Sequence, residues 1–386
     1  MQVVKETDLS QIVKIIPWLL EPTTNITNYP MGISARILFA TMLILLAVAC
    51  SKKEHGPAQT MCIFAGKTIT QQTQGSESQK NTITTEISRD PQKQLKSARK
   101  TEVNERIDGA TNELISRTTT ITDFTFTFNA YALLSTLVVR KSFVFQGSAK
   151  SSYSHTNGVY KDFKMDSEET SEFRYVGPEI RDAAISIVTA IQGDNRPPVT
   201  TTEQKVKTYT YSGSRLVSAL TTSASGSTLA EFASGLVSMV TEKDSKGGIT
   251  STTRYNFRGF PSRYISGNYL MDMTYDDNWN LKTVLGNRDG KKIYLQEYTY
   301  DNRPNPENDI PRFFKGIPEP IITVQTTDGS NNLIGDKLTN YESPMTAEYK
   351  TDYRFNAAGT PESSTTVPTG GASGMETMTT FRYDCP

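Results

Sequence analysis

The chain has 386 residues with 41 basic and 41 acidic side chains, a formal charge of zero at pH 7. That balance gives no electrostatic pull toward nucleic acid or acidic lipid, so nucleic acid is not expected as a partner. Hydrophobic residues make up only 36% while Thr and Ser are abundant, which suits solvated β-sheet faces better than a thick α/β core, at a length sufficient for one large or two medium domains.

At the N-terminus, Met31-Gly-Ile-Ser-Ala-Arg36 would serve as the charged start of a secretory signal. The native start is therefore expected at Met31, with residues 1–30 read as a gene-model extension; the rival is an amphipathic leader around Gln11–Leu20, interrupted by Pro17. Ile37–Ala49 is apolar or small throughout and falls well short of the roughly 20 residues a spanning helix needs, so residues 31–49 read as a cleaved signal peptide. Its end, Leu46-Ala47-Val48-Ala49-Cys50, resembles a bacterial lipobox, departing from the commonest pattern at Ala47, where leucine is usual. The resemblance implies that the Cys50 sulfur is acylated and that Cys50 begins the mature chain. A buried helix or an uncut anchor is the plainer alternative, but neither explains why polar Ser51-Lys52-Lys53-Glu54 follows at once. That tail looks like the start of surface or outer-membrane lipoproteins of Bacteroidetes. It implies a lipid anchor in the bacterial envelope, at the outer membrane and surface-exposed.

Residues 50–117 are rich in Gln, Thr, Ser and Lys and read as a tether and polar N-terminal region. Within it Val103, Ile107, Ala110 and Leu114 recur at helical spacing, which predicts one helix, weakened by Gly109. Over 118–193 the period changes to two: Phe124, Phe126 and Phe128 alternate with Thr125 and Thr127, as in a half-buried strand. Further strands are expected at 137–145, 159–165 and 172–176. Pro178-Glu179-Ile180 then predicts a second helix, with Ile180, Ala184, Ile187 and Ile191 on one face and Gly193 at its end. Residues 194–204, with Arg196-Pro197-Pro198, read as a linker.

From 205 to 386 one phrase recurs: an aromatic strand end, a polar turn, a new hydrophobic strand. It occurs at Tyr209-Thr-Tyr211, Tyr255-Asn-Phe257, Tyr275-Asp276, Tyr298-Thr-Tyr300, Tyr353-Arg-Phe355 and Phe381-Arg-Tyr383. Tyrosine packs on a pleated face, Asp or Asn caps the turn, and Gly or Asn supplies positive φ. The irregular spacing predicts a meander with variable loops and no strict solenoid. In these phrases the chain resembles the tyrosine-aspartate repeat proteins. Tyr300-Asp301-Asn302-Arg303-Pro304-Asn305-Pro306 looks like a phrase of uncharacterised Bacteroidetes lipoproteins described as porin-like or curved sheets; Trp279 departs from the pattern, standing where a turn glycine is usual. The expected fold is mainly β: an antiparallel up-and-down meander, open or barrel-like, with two helices in the N-terminal half.

Candidate chemistry is sparse. Gly66-Lys67-Thr68 lacks the rest of a phosphate loop, and Asp276, Asn278 and Asn280 lack the glycine and glutamate of a calcium loop. Asp301, Glu307 and Asp309 read as a solvated acidic loop, with a loose divalent site as the alternative. There is no Gly-x-Ser-x-Gly elbow, and His55 and His155 are the only histidines. No metal or cofactor is expected. Trp279, the sole tryptophan after Cys50, is expected at a hairpin tip, either folded on Tyr275 and Leu281 or exposed as a stacking platform with Tyr275 and Tyr300 as candidate ligand contacts. Cys62 and Cys385 could pair or stay as two thiols on loose termini. The leading expectation is a lipid-anchored, non-catalytic binding or structural module for glycan or a partner protein. The alternatives are an envelope polysaccharide hydrolase using a carboxylate pair and an accessory subunit of an outer-membrane complex.

Overall fold

The computed structural model describes residues 62–385 apart from 74–76, 149–150, 156–157, 195, 312–313, 316, 319–328, 344 and 370–375. Cys50 and the signal segment lie outside the described residues.

The chain opens with long strands: β1 (Ile63–Gln72), β2 (Glu77–Arg89), β3 (Leu95–Asp108), β4 (Leu114–Phe128) and β5 (Leu134–Gly147). A small hairpin, β6 (Tyr153–His155) and β7 (Gly158–Tyr160), precedes β8 (Asp162–Val176), β9 (Glu179–Gly193) and β10 (Val199–Ser212). Shorter strands follow: β11 (Arg215–Ser223), β12 (Gly226–Ala233), β13 (Leu236–Asp244), β14 (Ile249–Tyr255), β15 (Pro261–Ser266), β16 (Tyr269–Tyr275) and β17 (Leu281–Arg288). The last are β18 (Lys291–Pro304), β19 (Asn331–Asn340), β20 (Met345–Phe355), β21 (Pro361–Thr369) and β22 (Glu376–Asp384).

Twenty of these strands form one antiparallel sheet in chain order, and β1 pairs with β22 from Ile63↔Asp384 to Gln72↔Glu376, so the sheet closes into an up-and-down barrel. Closure removes both sheet edges and their unpaired backbone groups. Cys62 and Cys385 flank the first pair of this seam and are bonded to each other, with Cα atoms 4.3 Å apart. At the disulfide end lie the start of β1, the end of β22, the β18–β19 connection and the hairpins after β2, β4, β8, β10, β12, β14, β16 and β20. The wall is uneven: β2–β5 and β8–β10 have 13–15 residues each, β11–β17 only 6–9. At about 3.3 Å per residue that is strands of about 45 Å on one side of the barrel and about 25 Å on the other.

No α-helix occurs among the described residues, so both expected helices are corrected. Val103 and Ile107 lie on β3, Ala110 in its turn, and Leu114 opens β4. Ile180, Ala184, Ile187 and Ile191 lie on β9, where the lumen side is instead Ala183, Ile185, Ile187, Thr189 and Ile191, set by pairing with Phe173, Ser171, Glu169, Ser167 and Met165. A run of Ile and Val residues fits the pleated sheet better than a helix. The stretch read as tether holds β1–β3 from Ile63 onward, and the expected linker holds the start of β10.

Five hairpins at the disulfide end and one at the other share a turn. An Asp or Asn carbonyl accepts the N–H three residues on, its side chain accepts the N–H four residues on, and the third residue on sits at positive φ. The copies begin at Asp90, Asn129, Asp244, Asn256, Asp276 and Asn356. Their positive-φ residues are Lys93, Ala132, Gly247, Gly259, Trp279 and Gly359.

Candidate functional site

The connection from β18 to β19 is the only feature at the disulfide end that leaves the wall among the described residues. It begins with the proline phrase: Asn305 caps a 3-10 turn, Pro306–Asp309, by accepting the Glu307 N–H, and donates to Gly329 O. Ile310, Phe314 and Ile317 then join the apolar cluster that lines this end, with Phe314 stacked on Phe126 at 4.9 Å between centroids. They form a plug. It is held to β1 by an ion pair between Lys67 and Glu307, whose side chains are 5% and 4% exposed, and by Asp309 Oδ2 accepting the Phe64 N–H. Asp301 accepts from Arg303 N, Asn332 N and Asn332 Nδ2. Asp301, Glu307 and Asp309 are thus three separate braces of the plug, and no cluster of three or more metal-ligating side chains occurs among the described residues.

The tyrosines of the recurring phrase brace the same end. Tyr275 Oη donates to Pro261 O at 2.8 Å and Tyr300 Oη to Leu281 O at 3.0 Å; Tyr175 Oη does the same to Leu134 O at 2.7 Å. Each hydroxyl fastens the first residue of an adjacent strand. Burial raises the Tyr175 hydroxyl to about 12, and it raises Tyr300 as well, with the Tyr298 and Asp276 charges adding to it. All three hydroxyls act as donors.

Of the expected ligand contacts, Trp279 and Tyr275 belong to one aromatic group, and Tyr300 is placed by its bond to Leu281 O. Trp279 packs edge-on against Phe257 at 5.0 Å and lies parallel to Phe260 at 6.4 Å, and Phe260 contacts Tyr275 at 5.3 Å. Arg258 lies over the Trp279 ring at 4.4 Å. Trp279 thus packs on the neighbouring hairpin, and Phe257, 77% exposed, leaves an apolar and cationic patch open on the rim. Trp279 sits at φ +65, where a side chain costs about 1 kcal/mol that glycine does not. Trp279→Ala is expected to be less stable than Trp279→Gly by about 1 kcal/mol, because alanine keeps the strained φ without the ring contacts. Urea unfolding followed by circular dichroism measures the difference, and equal stabilities would refute the strain.

A second surface lies in the lumen, where sequence reasoning placed no site. Register puts Tyr298, Asp336 and Tyr349 side by side on β18, β19 and β20, all facing inward and half-buried. Gln296 Nε2 donates to both Asp336 oxygens at 3.1 and 3.0 Å. Burial raises the Asp336 carboxyl above its ordinary range, against the lowering effect of the Gln296 bond, and pushes the Tyr298 hydroxyl up to about 12 with help from the Asp336 charge. Toward the opposite end Tyr294 crosses Gly286, where a Cβ would lie 2.3 Å from its ring, and shares a 2.9 Å hydroxyl contact with Tyr269. Tyr264 meets Tyr269 edge-on at 6.4 Å. The signal that could have located this wall is the run Tyr294-Leu-Gln296-Glu-Tyr298-Thr-Tyr300, polar-aromatic on one face throughout.

The outer surface carries charge. Arg99 Nη2 bonds Asp123 at 3.0 Å, Asp123 is in register with Arg140, and Arg140 Nε bonds Glu168 at 2.6 Å, a ladder across β3, β4, β5 and β8. Arg263–Asp272 at 2.6 Å, Arg174–Asp182 at 3.4 Å and Lys350–Asp352 at 2.8 Å continue the pattern around the wall. A shallow trough of about 520 Å³ lies beside the ladder, lined by Ile121, Asp123, Arg140, Asp166, Glu168 and Val188.

No protein-family model and no curated protein matches the chain. Among solved structures it is similar to a porin-like protein from Bacteroides uniformis, at 10% identity and TM-score 0.31, covering 83% of this chain and 96% of that one. It is also similar to a porin-like protein from Bacteroides vulgatus, at 6% identity and TM-score 0.27, covering 84% and 99%.

Proposed function

We propose that the protein is a lipid-anchored barrel of the bacterial outer membrane that binds glycan or a partner protein without catalysis, standing in water at the end of a tether. The outer ionic ladder carries this reading. Arg or Lys on a lipid-facing strand costs about 2–4 kcal/mol at the bilayer midplane, so a wall carrying Arg99, Arg140, Arg174 and Arg263 with their acidic partners is built for solvent. The plug at the disulfide end favours a cup over a conduit. The chain enters the barrel at Cys62, with eleven residues between it and Cys50, so a lipid on Cys50 would be attached through the plugged end. The exposed patch of Phe257, Arg258 and Trp279 then suits contact with a membrane partner, which also accommodates an accessory-subunit role. The hydrolase alternative has less support: Asp336, a half-buried lumen carboxylate, faces the amide of Gln296.

The test is Cys50→Ser with radiolabelled palmitate and alkaline carbonate extraction. The parent is expected to be labelled and to stay in the membrane pellet, and the variant to be unlabelled, folded and released. A variant that stays in the carbonate-washed pellet would show that strands hold the barrel in lipid and would overturn the reading.

A further inference from the structure

We infer that the inward row Tyr298–Asp336–Tyr349 is a binding site for an uncharged polysaccharide, reached from the mouth opposite the plug. This rests on the reading of the barrel as a binding cup and names its ligand class and contact residues. Consecutive strands lie about 4.8 Å apart, so the two tyrosines stand about 9.6 Å apart with the carboxylate between them. The spacing leaves room for one sugar ring over Asp336 with its neighbours resting on the flanking aromatic faces. Sugar C–H faces are apolar and pack on tyrosine rings, while the ring hydroxyls need acceptors. Asp336 supplies the acceptors, and Gln296 fixes its orientation by donating to both oxygens. Fixing that orientation before binding reduces the ordering cost of the complex.

The charge in the row selects against acids. Asp336 is flanked by tyrosines, burial raises the Tyr298 hydroxyl to about 12, and Gln296 is neutral too. A uronate or sulfate brought beside that carboxylate would meet like charge. Tyr294, Tyr269 and Tyr264 continue the aromatic surface toward the mouth, so a chain of several sugar units can lie along the wall. The hydroxyls of Tyr269 and Tyr294 are already bonded to each other, which leaves their faces as the available contact.

The experiment is affinity electrophoresis of the full chain in a sugar-free detergent, with gels containing β-glucan, xyloglucan, mannan, dextran or, as the charged control, polygalacturonate. At least one neutral polymer is expected to retard the parent, and polygalacturonate none. Tyr349→Ala and Tyr298→Ala should each weaken that retardation at least tenfold, while Tyr349→Phe, which keeps the ring, stays within about threefold of the parent. Lys350→Gln, on the outer face of the same strand, controls for folding together with circular dichroism. The inference is overturned if no neutral polymer retards the parent, or if folded Tyr298→Ala and Tyr349→Ala variants bind as the parent does. Either failure leaves the Cys50 fractionation result standing, so loss of the ligand assignment is separable from loss of the tethered-barrel reading.

Discussion

Replacing Glu307 with alanine is expected to lower folding stability by about 3–5 kcal/mol and to expose the 306–318 segment to protease. Glu307 and Lys67 are both almost fully buried, so removing the carboxylate takes from a buried ammonium the counter-charge that the plug supplies. The cost is mainly desolvation left uncompensated, far above the 0–1 kcal/mol of the exposed pairs on the outer wall. It also reaches the plug directly, because Glu307 O accepts the Ile310 N–H and Ile310 is part of the apolar cluster. The compensating variant Lys67→Met/Glu307→Leu removes both charges and should recover most of the loss. Urea denaturation of the three proteins checks this. If Glu307→Ala unfolds within 1 kcal/mol of the parent, the ion pair is not what seats the plug.

The parts of the fold legible in the sequence are those set by neighbours in the chain. Phe124, Phe126 and Phe128 announce a strand because one face is apolar, and Asn256, Asp276 and Asn356 announce turns because each caps its own backbone. The long strands near the start were hidden for the opposite reason. On β2 the outward Lys80, Thr82 and Thr84 alternate with Asn81, Ile83 and Thr85, and a wall wet on both sides offers little hydrophobic period to detect. On β9 the isoleucines satisfy both periods, and tertiary pairing decided between them. The site depends on contacts that no local pattern encodes. Lys67 meets Glu307 from 240 positions away, and Tyr298, Asp336 and Tyr349 converge only through strand register. Trp279 was legible as a departure from a turn glycine, and its positive φ follows from that; its partners Phe257 and Phe260 belong to a hairpin that only the fold brings alongside.

Replacing Cys385 with serine is expected to lower stability by about 4–5 kcal/mol, close to the loss from Glu307→Ala but by a different route. The bond joins positions 323 residues apart, so it removes an exceptionally long loop from the unfolded ensemble. In the folded barrel β1 and β22 remain paired along the seam, and Phe64 still packs edge-on to Tyr383 at 6.1 Å, so native contacts change little. The seam joins the first strand to the last and is the longest-range pairing in the sheet, hence slow to find without the cross-link. Refolding should therefore slow more than unfolding accelerates, and dithiothreitol should shift the parent to the behaviour of the variant. An unchanged urea midpoint under reductant would refute the contribution. Because Lys67 and Phe64 sit on β1, beside Cys62, a loosened seam also loosens what holds the plug. Glu307→Ala combined with Cys385→Ser should depart from additivity by about 0.5–3 kcal/mol, whereas Trp279→Gly, on a distant hairpin, should add within about 0.5 kcal/mol.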